Sequence, residues 1–419
     1  MKNSAKKFVR SDNSWGYETG VHIQGNYIST EWNQFITENK GNLPDILNDL
    51  CNFFDYSDLD DVQHFCTTYS LAELWNFFLN TKKDKYKIQI LKILCNAINY
   101  KNESLSFLQQ SEVIDILLQN LKASNEDLCD ITLGVLSSLC TINKEIIPYL
   151  LSNGIINSMK LLSTLLYFGS MLVNLATVQG EHVFDLIELA SLCIVSDYSS
   201  NVKSAFTVFG QLLSSYENDD LLVIKERIMK DINAYINNIS EISDSSAAKE
   251  FFLLLSLFDE IPPEYSLVIS TIINNCFELD EENISKAIKS GIEIFNHFYD
   301  QFPLEGCSKF YETILIMYDK LNIRCKHEIA QFLVNRFPYQ NNFEEKVCRI
   351  FGEFMDDPEI GAKCIFAFTE MMENFKDNET MSALIVEYSD KIFDGINSED
   401  ENILEASIHF IDVLKKIQQ

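Results

Sequence analysis

The sequence predicts an all-α solenoid, a row of stacked helical repeats. Three observations carry that prediction. Residues 71–112 and 113–154 align over 42 positions without a gap, and self-similarity at such a period marks repeat architectures. Inside a repeat the apolar residues follow helical spacing, with Ile131, Val135, Leu136 and Leu139 on one stripe. Glycine (14) and proline (7) are scarce among 419 residues, whereas folds built from hairpins or βαβ units need many such turn residues.

In chain order, the start "MKNSAKKFVR" holds Lys2, Lys6, Lys7 and Arg10 with no apolar stretch behind them. It is not a secretory signal, and residues 1–28 are expected to form a flexible arm. Residues 29–242 are expected to hold the clearer repeats. Residues 243–419 are expected to continue them as degenerate helix pairs. Within the 42-residue register Leu79 falls on Leu121, Leu91 on Leu133, Leu94 on Leu136 and Leu108 on Leu150. Ile93 falls on Val135, Trp75 on Leu117 and Phe107 on Tyr149. Upstream, Phe65 in "LPDILNDLCNFFDYSDLDDVQHFCTTYS" (43–70) matches Phe107. The turn "SNED" (124–127) places acceptors and acid where a helix N-terminus needs them. Gly154 is expected to be left-handed, ending one helix so that another can start at Ile155.

Residues 161–180 carry no charge and could match a bilayer in length. Ser163, Thr164, Ser170, Asn174, Thr177 and Gln179 interrupt them, so a buried helix pair is expected instead. "NLATVQ" (174–179) aligns with "SLCTIN" (138–143) only after a short deletion, and 201–220 resembles the same repeat again. The stretch 240–248 reads as an inter-repeat turn. Beyond it, helix pairs are expected at 246–258 with 265–279, 284–300 with 308–321, and 345–355 with 359–375. Two further helices are expected near 380–394 and 401–416. Asp357-Pro358-Glu359 reads as a helix start, and Ser398 with Glu401 as a capping box. Leu404, Ile408, Ile411 and Leu414 would share one apolar face.

The net charge is −29, which argues against a nucleic-acid binder, since displacing counterions from phosphates needs Lys and Arg. Residues 1–210 hold 15 Lys and Arg against 23 Asp and Glu, while residues 211–419 hold 18 against 39. The second half would therefore attract a basic partner. Eleven dispersed cysteines with no C-x-x-C fit a reducing, cytoplasmic compartment and not a disulfide framework.

Signatures of chemistry are missing. No phosphate-binding glycine loop, H-E-x-x-H or G-x-S-x-G occurs. Histidines 22, 64, 182, 297, 327 and 409 are spread without metal-ligand spacing. Asp356-Asp357 and Glu281-Glu282 suit helix starts better than acid–base work. "DLDD" (58–61) lacks the further oxygen ligands of a calcium loop. A non-enzyme with no cofactor, no metal and no membrane insertion is expected.

"NGIINSMKLL", "VNLAT", "VIDILLQNLKASNED" and "LCNAIN" resemble armadillo repeats, best across 60–180 and fairly to about 235; the later pairs look more HEAT-like. The resemblance implies a right-handed α–α superhelix that binds a peptide or protein along a groove, as a scaffold or adaptor. It leaves open an importin-α-like nuclear transport adaptor, with a nuclear location. It also leaves open a structural subunit of a trafficking or phosphatase assembly. In the importin-α branch an Asn and a Trp one turn apart recur on the groove helix. The Asn position falls on Asn96, Ser138 and Asn174. The Trp position falls on Lys92, Gly134 and Ser170, so the Trp ladder is absent. Gln89, Lys92, Asn96, Ser138 and Asn174 are the expected groove positions.

Overall fold

The computed structural model describes residues 28–29, 32–33, 42–56, 59–69, 71–99, 103–178, 180, 182–276, 281–338 and 342–417. Most of the arm expected over 1–28, and Asp58 of the "DLDD" tract, lie outside them. Among the described residues the chain is all helix and turn, with no strand. It divides into two compact units, the first ending at Tyr235 and the second beginning at Ile236.

The first unit starts with α1 (Leu43–Tyr56), α2 (Leu59–Thr68), α3 (Ala72–Asn80) and α4 (Asp84–Asn99). A 3-10 turn at Glu103–Gln109 leads into α5 (Ser111–Asn120), α6 (Glu126–Ile142), α7 (Ile146–Ser152) and α8 (Ile155–Met159). Then follow α9 (Phe168–Leu175), α10 (Val183–Ile194), α11 (Ser199–Ser215) and α12 (Asn218–Ala234). The 42-residue register is physical: α4 begins at Asp84 and α6 at Glu126, while the 3-10 turn and α7 occupy equivalent places. Leu91, Ile93, Leu94 and Leu108 are buried, and so are Leu133, Val135, Leu136 and Leu150. The pair Leu79 and Leu121 departs from the register, because Leu79 is 49% exposed at the end of α3 while Leu121 is buried.

One layer runs α1, α4, α6, α9, α11, each helix packed on the next. No repeat buries its own apolar face, so neighbours cover one another. Helix α6 shows this best. It is buried almost all round, at every residue from Leu128 to Ser137, as a helix with partners on both sides should be.

Asn125 caps α6 by accepting from the Leu128 amide at 3.1 Å, as the "SNED" pattern predicts. Gly154 has φ +79° and ψ 27°, the left-handed conformation expected there. The buried helix pair expected over 161–180 is not formed. Residues 161–167 make turns, and only the eight residues of α9 are helical. The reason lies on both flanks. The Asp130 carboxylate accepts from the Tyr167 amide at 2.9 Å. Asn201 of α11 donates to the Leu165 carbonyl at 2.8 Å and accepts from the Gly169 amide at 3.0 Å. These buried side chains satisfy the backbone groups that a helix would otherwise pair. No described helix is long and apolar enough to cross a membrane.

The second unit holds α13 (Ile236–Ser240), α14 (Ser245–Leu255), α15 (Tyr265–Asn275), α16 (Glu281–His297) and α17 (Leu304–Met317). It continues with α18 (Ile323–Arg336), α19 (Glu345–Glu353), α20 (Gly361–Asn374), α21 (Glu379–Asp394) and α22 (Glu401–Ile417). Helices α14, α16, α18, α20 and α22 pack in sequence as one layer. Links between successive pairs again span nearly constant chain lengths: Ser245 to Asn283, 38 residues; Lys289 to Glu328, 39; Cys325 to the Ser285 carbonyl, 40; Arg349 to Glu387, 38.

Four expectations for this half need correction. Helix α18 was not foreseen, because its buried stripe starts on Cys325 and continues through Ile329, Phe332 and Leu333 between charged residues. The cap of α22 is Asp400, not Ser398: its carboxylate accepts from the Asn402 and Ile403 amides at 2.8 and 3.3 Å. A charged acceptor at a helix N-terminus outcompetes a hydroxyl two residues upstream. The buried face of α22 is Ile403, Ala406, Ser407, Phe410 and Val413; Leu404, Ile411 and Leu414 are half-buried and Ile408 is exposed. Asp357 also departs from its expected role as a helix start: it accepts from the Glu359 and Ile360 amides in a turn, and α20 itself begins only at Gly361.

Candidate partner-binding surfaces

The expected groove residues of the first unit lie on α4, α6 and α9, the layer described above. Their polar groups are tied to the neighbouring helix. Gln89 donates to Asn48 at 2.5 Å and Asn96 to Asp55 at 2.9 Å; each pair is 41 residues apart. Because 48 and 55, like 89 and 96, are two turns apart, these bonds form successive rungs between α1 and α4. Asn125 donates to Asp84 at 3.3 Å, again 41 residues apart, and joins α6 to α4. Ser138 Oγ lies 3.6 Å from Cys95 Sγ. Asn174 donates to the Ser137 carbonyl and hydroxyl at 3.1 and 3.0 Å, and to the Ser170 carbonyl at 3.1 Å.

Lys92 is half-buried in the middle of this row. Burial raises the Cys51 thiol to about 12 and the Asp130 carboxyl to about 6, and the Lys92 ammonium opposes both shifts. Its charge therefore acts toward α1 and α6 alike. Gly134, at a position where an importin-α-like ladder has Trp, lies under the Tyr167 ring, and even a Cβ there would meet the ring at 3.0 Å. The row is a ladder of inter-helix hydrogen bonds. The repeat alignment picked out Asn96 and Ser138 at 42 residues and Asn174 after a short deletion; it could not find Asp55 and Ser137, which pair with Asn96 and Asn174 one residue out of that alignment.

The second unit offers a different surface. Helices α14, α16, α18, α20 and α22 run in one direction and start side by side. Ser245 reaches Asn283, Cys325 reaches the Ser285 carbonyl, and His327 contacts Asp357 at 3.3 Å. Further along α20 and α22 the Phe366 and His409 rings meet at 5.5 Å. Each start carries acid or amide. Asp244 and Asn322 accept from the Ala247 and Cys325 amides, Asp400 does the same for α22, Asp357 holds the turn that precedes α20, and Glu281 and Glu282 open α16. The turns between add Asp319, Asp356 and Glu359, whose side chains are 77, 71 and 75% exposed. Lys346 pairs with Asp319 at 2.7 Å, and Lys391 partly offsets the others. It donates to the Gly352 and Glu353 carbonyls at the end of α19 and pairs with Asp356 at 3.0 Å. Cations suit a helix C-terminus.

Little here is arranged for covalent chemistry. All the cysteines are free; Cys51 is half-buried and the others are buried. Burial pushes Cys140, Cys193, Cys276 and Cys364 up to about 12, which keeps these thiols protonated and weakly nucleophilic. No group of His, Cys, Asp and Glu among the described residues could hold a metal ion. A cleft of about 330 Å³ lies between Pro148, Leu151, Val183, Leu186 and Tyr216. The Tyr216 hydroxyl is used on the Gly180 backbone there.

No protein-family model matches the chain, and no curated protein matches it in sequence. Solved structures similar to it include an engineered protein (11% identity, TM-score 0.48, covering 93% of this chain and 99% of that one). Yeast importin-beta is similar at 10% identity and TM-score 0.42, covering 93% of this chain and 58% of importin-beta. An UNC-45 chaperone that binds and folds muscle myosin is similar at 12% identity and TM-score 0.41, covering 88% and 48%. The chain thus spans about half the length of the last two. The helical-repeat organisation stands on the chain's own register and on its links between successive repeats.

Proposed function

We propose that the chain is a non-catalytic scaffold for a protein or peptide partner, and that the acidic edge of the second unit receives a basic segment of it. The alignment of helix starts carries this reading. Capping consumes Asp244 and Asp400, and the turn before α20 consumes Asp357. Neither requires the exposed Asp319, Asp356 and Glu359 beside them, and their charge adds along the edge. The row Gln89, Lys92, Asn96, Ser138 and Asn174 is proposed as a further contact surface in the first unit. A peptide there must meet the faces that the inter-helix bonds leave open. The protonated thiols and dispersed histidines support a binding role over a catalytic one.

The test is titration of the full chain with a labelled Lys-rich peptide and its Glu-rich counterpart at several salt concentrations. Binding of the basic peptide should weaken steadily with salt. It should weaken by about tenfold, roughly 1.4 kcal/mol, in the double variant Asp356→Lys, Glu359→Lys. Equal binding of both peptides, or indifference to salt and to charge reversal, overturns the basic-partner reading.

A further inference from the structure

Helix α20 keeps its large apolar residues inside, with one exception. Ile365, Phe368, Met371 and Met372 are buried, whereas Phe366 is 36% exposed. Its ring lies 5.5 Å from that of His409 on α22, tilted by 44°, and His409 is exposed as well. The two helices pack side by side, so the rings form one aromatic step open to solvent. A single exposed apolar residue is ordinary; the charges around this one are not balanced. Within one turn of the pair the same helices carry Glu370, Glu405 and Asp412 against Lys363, all within about 60° of Phe366 or His409 around the helix axis. The Lys363 ammonium is drawn toward α18, where it donates to Asn335 Oδ1 at 3.4 Å. One turn further on, Glu373 and Lys416 offset each other.

The surroundings of the rings are therefore negative, and the face of an aromatic ring is the negative side of its quadrupole. Both attract a cation. An acidic side chain is repelled, and a purely apolar one would cover carboxylates without supplying a counter-charge, which is costly. Arginine fits better than lysine. Its planar guanidinium can stack on a ring and bond a carboxylate at once, whereas an ammonium is a compact, strongly hydrated charge. We infer that the Phe366–His409 step seats an arginine side chain of the basic segment proposed above, with Glu370, Glu405 and Asp412 as its counter-charge. This rests on the basic-partner reading and adds a position to it. Phe366 stands five residues beyond Gly361, the first residue of α20, which is about 7.5 Å along the helix from the acidic edge. An extended chain covers that distance in roughly two to three residues, so the arginine follows the residue held at the edge by that number.

Titration of the full chain with two labelled peptides tests this. They are equal in length and charge, one basic only through arginine and the other only through lysine. The arginine peptide should bind more tightly. Phe366→Ala and His409→Ala should each weaken it about two- to fivefold and weaken the lysine peptide less. His409→Phe keeps a ring and should bind like wild type. Glu405 is exposed and outside the packed face, so Glu405→Lys should weaken the arginine peptide at least as much with an unchanged thermal melt. That variant keeps the test valid where a ring variant disturbs packing. If both peptides bind alike and respond to Asp356→Lys, Glu359→Lys but not to Phe366→Ala or Glu405→Lys, the acidic edge stands and the arginine seat falls. If neither peptide binds, both readings fall. A Glu-rich peptide that binds and is lost on Phe366→Ala overturns the assignment of a cation.

Discussion

At the scale of single residues, Asp130 shows how the fold spends a charge. It is 7% exposed in the middle of α6 and holds the Tyr167 amide. Burial raises its carboxyl to about 6 against the opposing pull of that hydrogen bond. The folded state therefore binds this proton more tightly than the unfolded chain, whose Asp titrates near 3.9. The stability Asp130 contributes is fully present below that value and is lost as pH rises through about 6. Asp130→Asn keeps an oxygen for the Tyr167 amide and carries no charge. It should be more stable than wild type by about 3 kcal/mol at pH 7–8, with the gain vanishing near pH 4. Urea unfolding of both proteins across that range measures it, and a pH-independent difference would contradict the account. The neighbouring Gly169 is needed for space. A Cβ there would lie 2.7 Å from Asn201 Oδ1 and 2.8 Å from Ser204. Gly169→Ala should cost about 1–3 kcal/mol, whereas Gly180→Ala, with nothing within 4 Å, should cost little.

At the scale of elements, helix ends are where sequence and structure part company. The N-cap of α6 was legible because Asn125 and its acids stand in a turn that recurs 42 residues earlier. The cap of α22 was misplaced by two residues, because "SEDE" offers a hydroxyl and several carboxylates and only the helix decides between them. Helix α18 escaped because cysteine and alanine supply two of its six buried residues and leave a faint apolar signal. The outcome at α22 is measurable. Asp400→Ala should cost about 1 kcal/mol, and Ser398→Ala, whose hydroxyl accepts only from the Asp400 amide at 3.1 Å, should cost clearly less. Equal losses in chemical denaturation would return the cap to Ser398. Gly154→Ala probes the other kind of ending. Its φ of +79° suits glycine and costs an alanine about 1 kcal/mol, even though no atom crowds the site.

At the scale of the whole chain, the repeat was legible because stacking imposes one buried pattern at one period. The surfaces were not. The polar row of the first unit came out of the register, but its hydrogen-bond partners sit one residue off it. The acidic edge depends on five helices starting side by side, which no local pattern records. The same stacking makes a prediction about cooperativity. In a solenoid each repeat touches only its neighbours, so a core lesson in one place should not spread far. Phe295 on α16 stacks on Phe310 at 3.9 Å and meets Phe302 and Phe332, so it joins three successive helices of the second unit. Phe295→Ala should cost about 3–5 kcal/mol. Hydrogen exchange resolved by segment should show protection lost across α16, α17 and α18, while α4 and α6 of the first unit keep theirs. Equal loss in both units would mean that the chain unfolds as one cooperative body, and that nearest-neighbour stacking does not govern its stability.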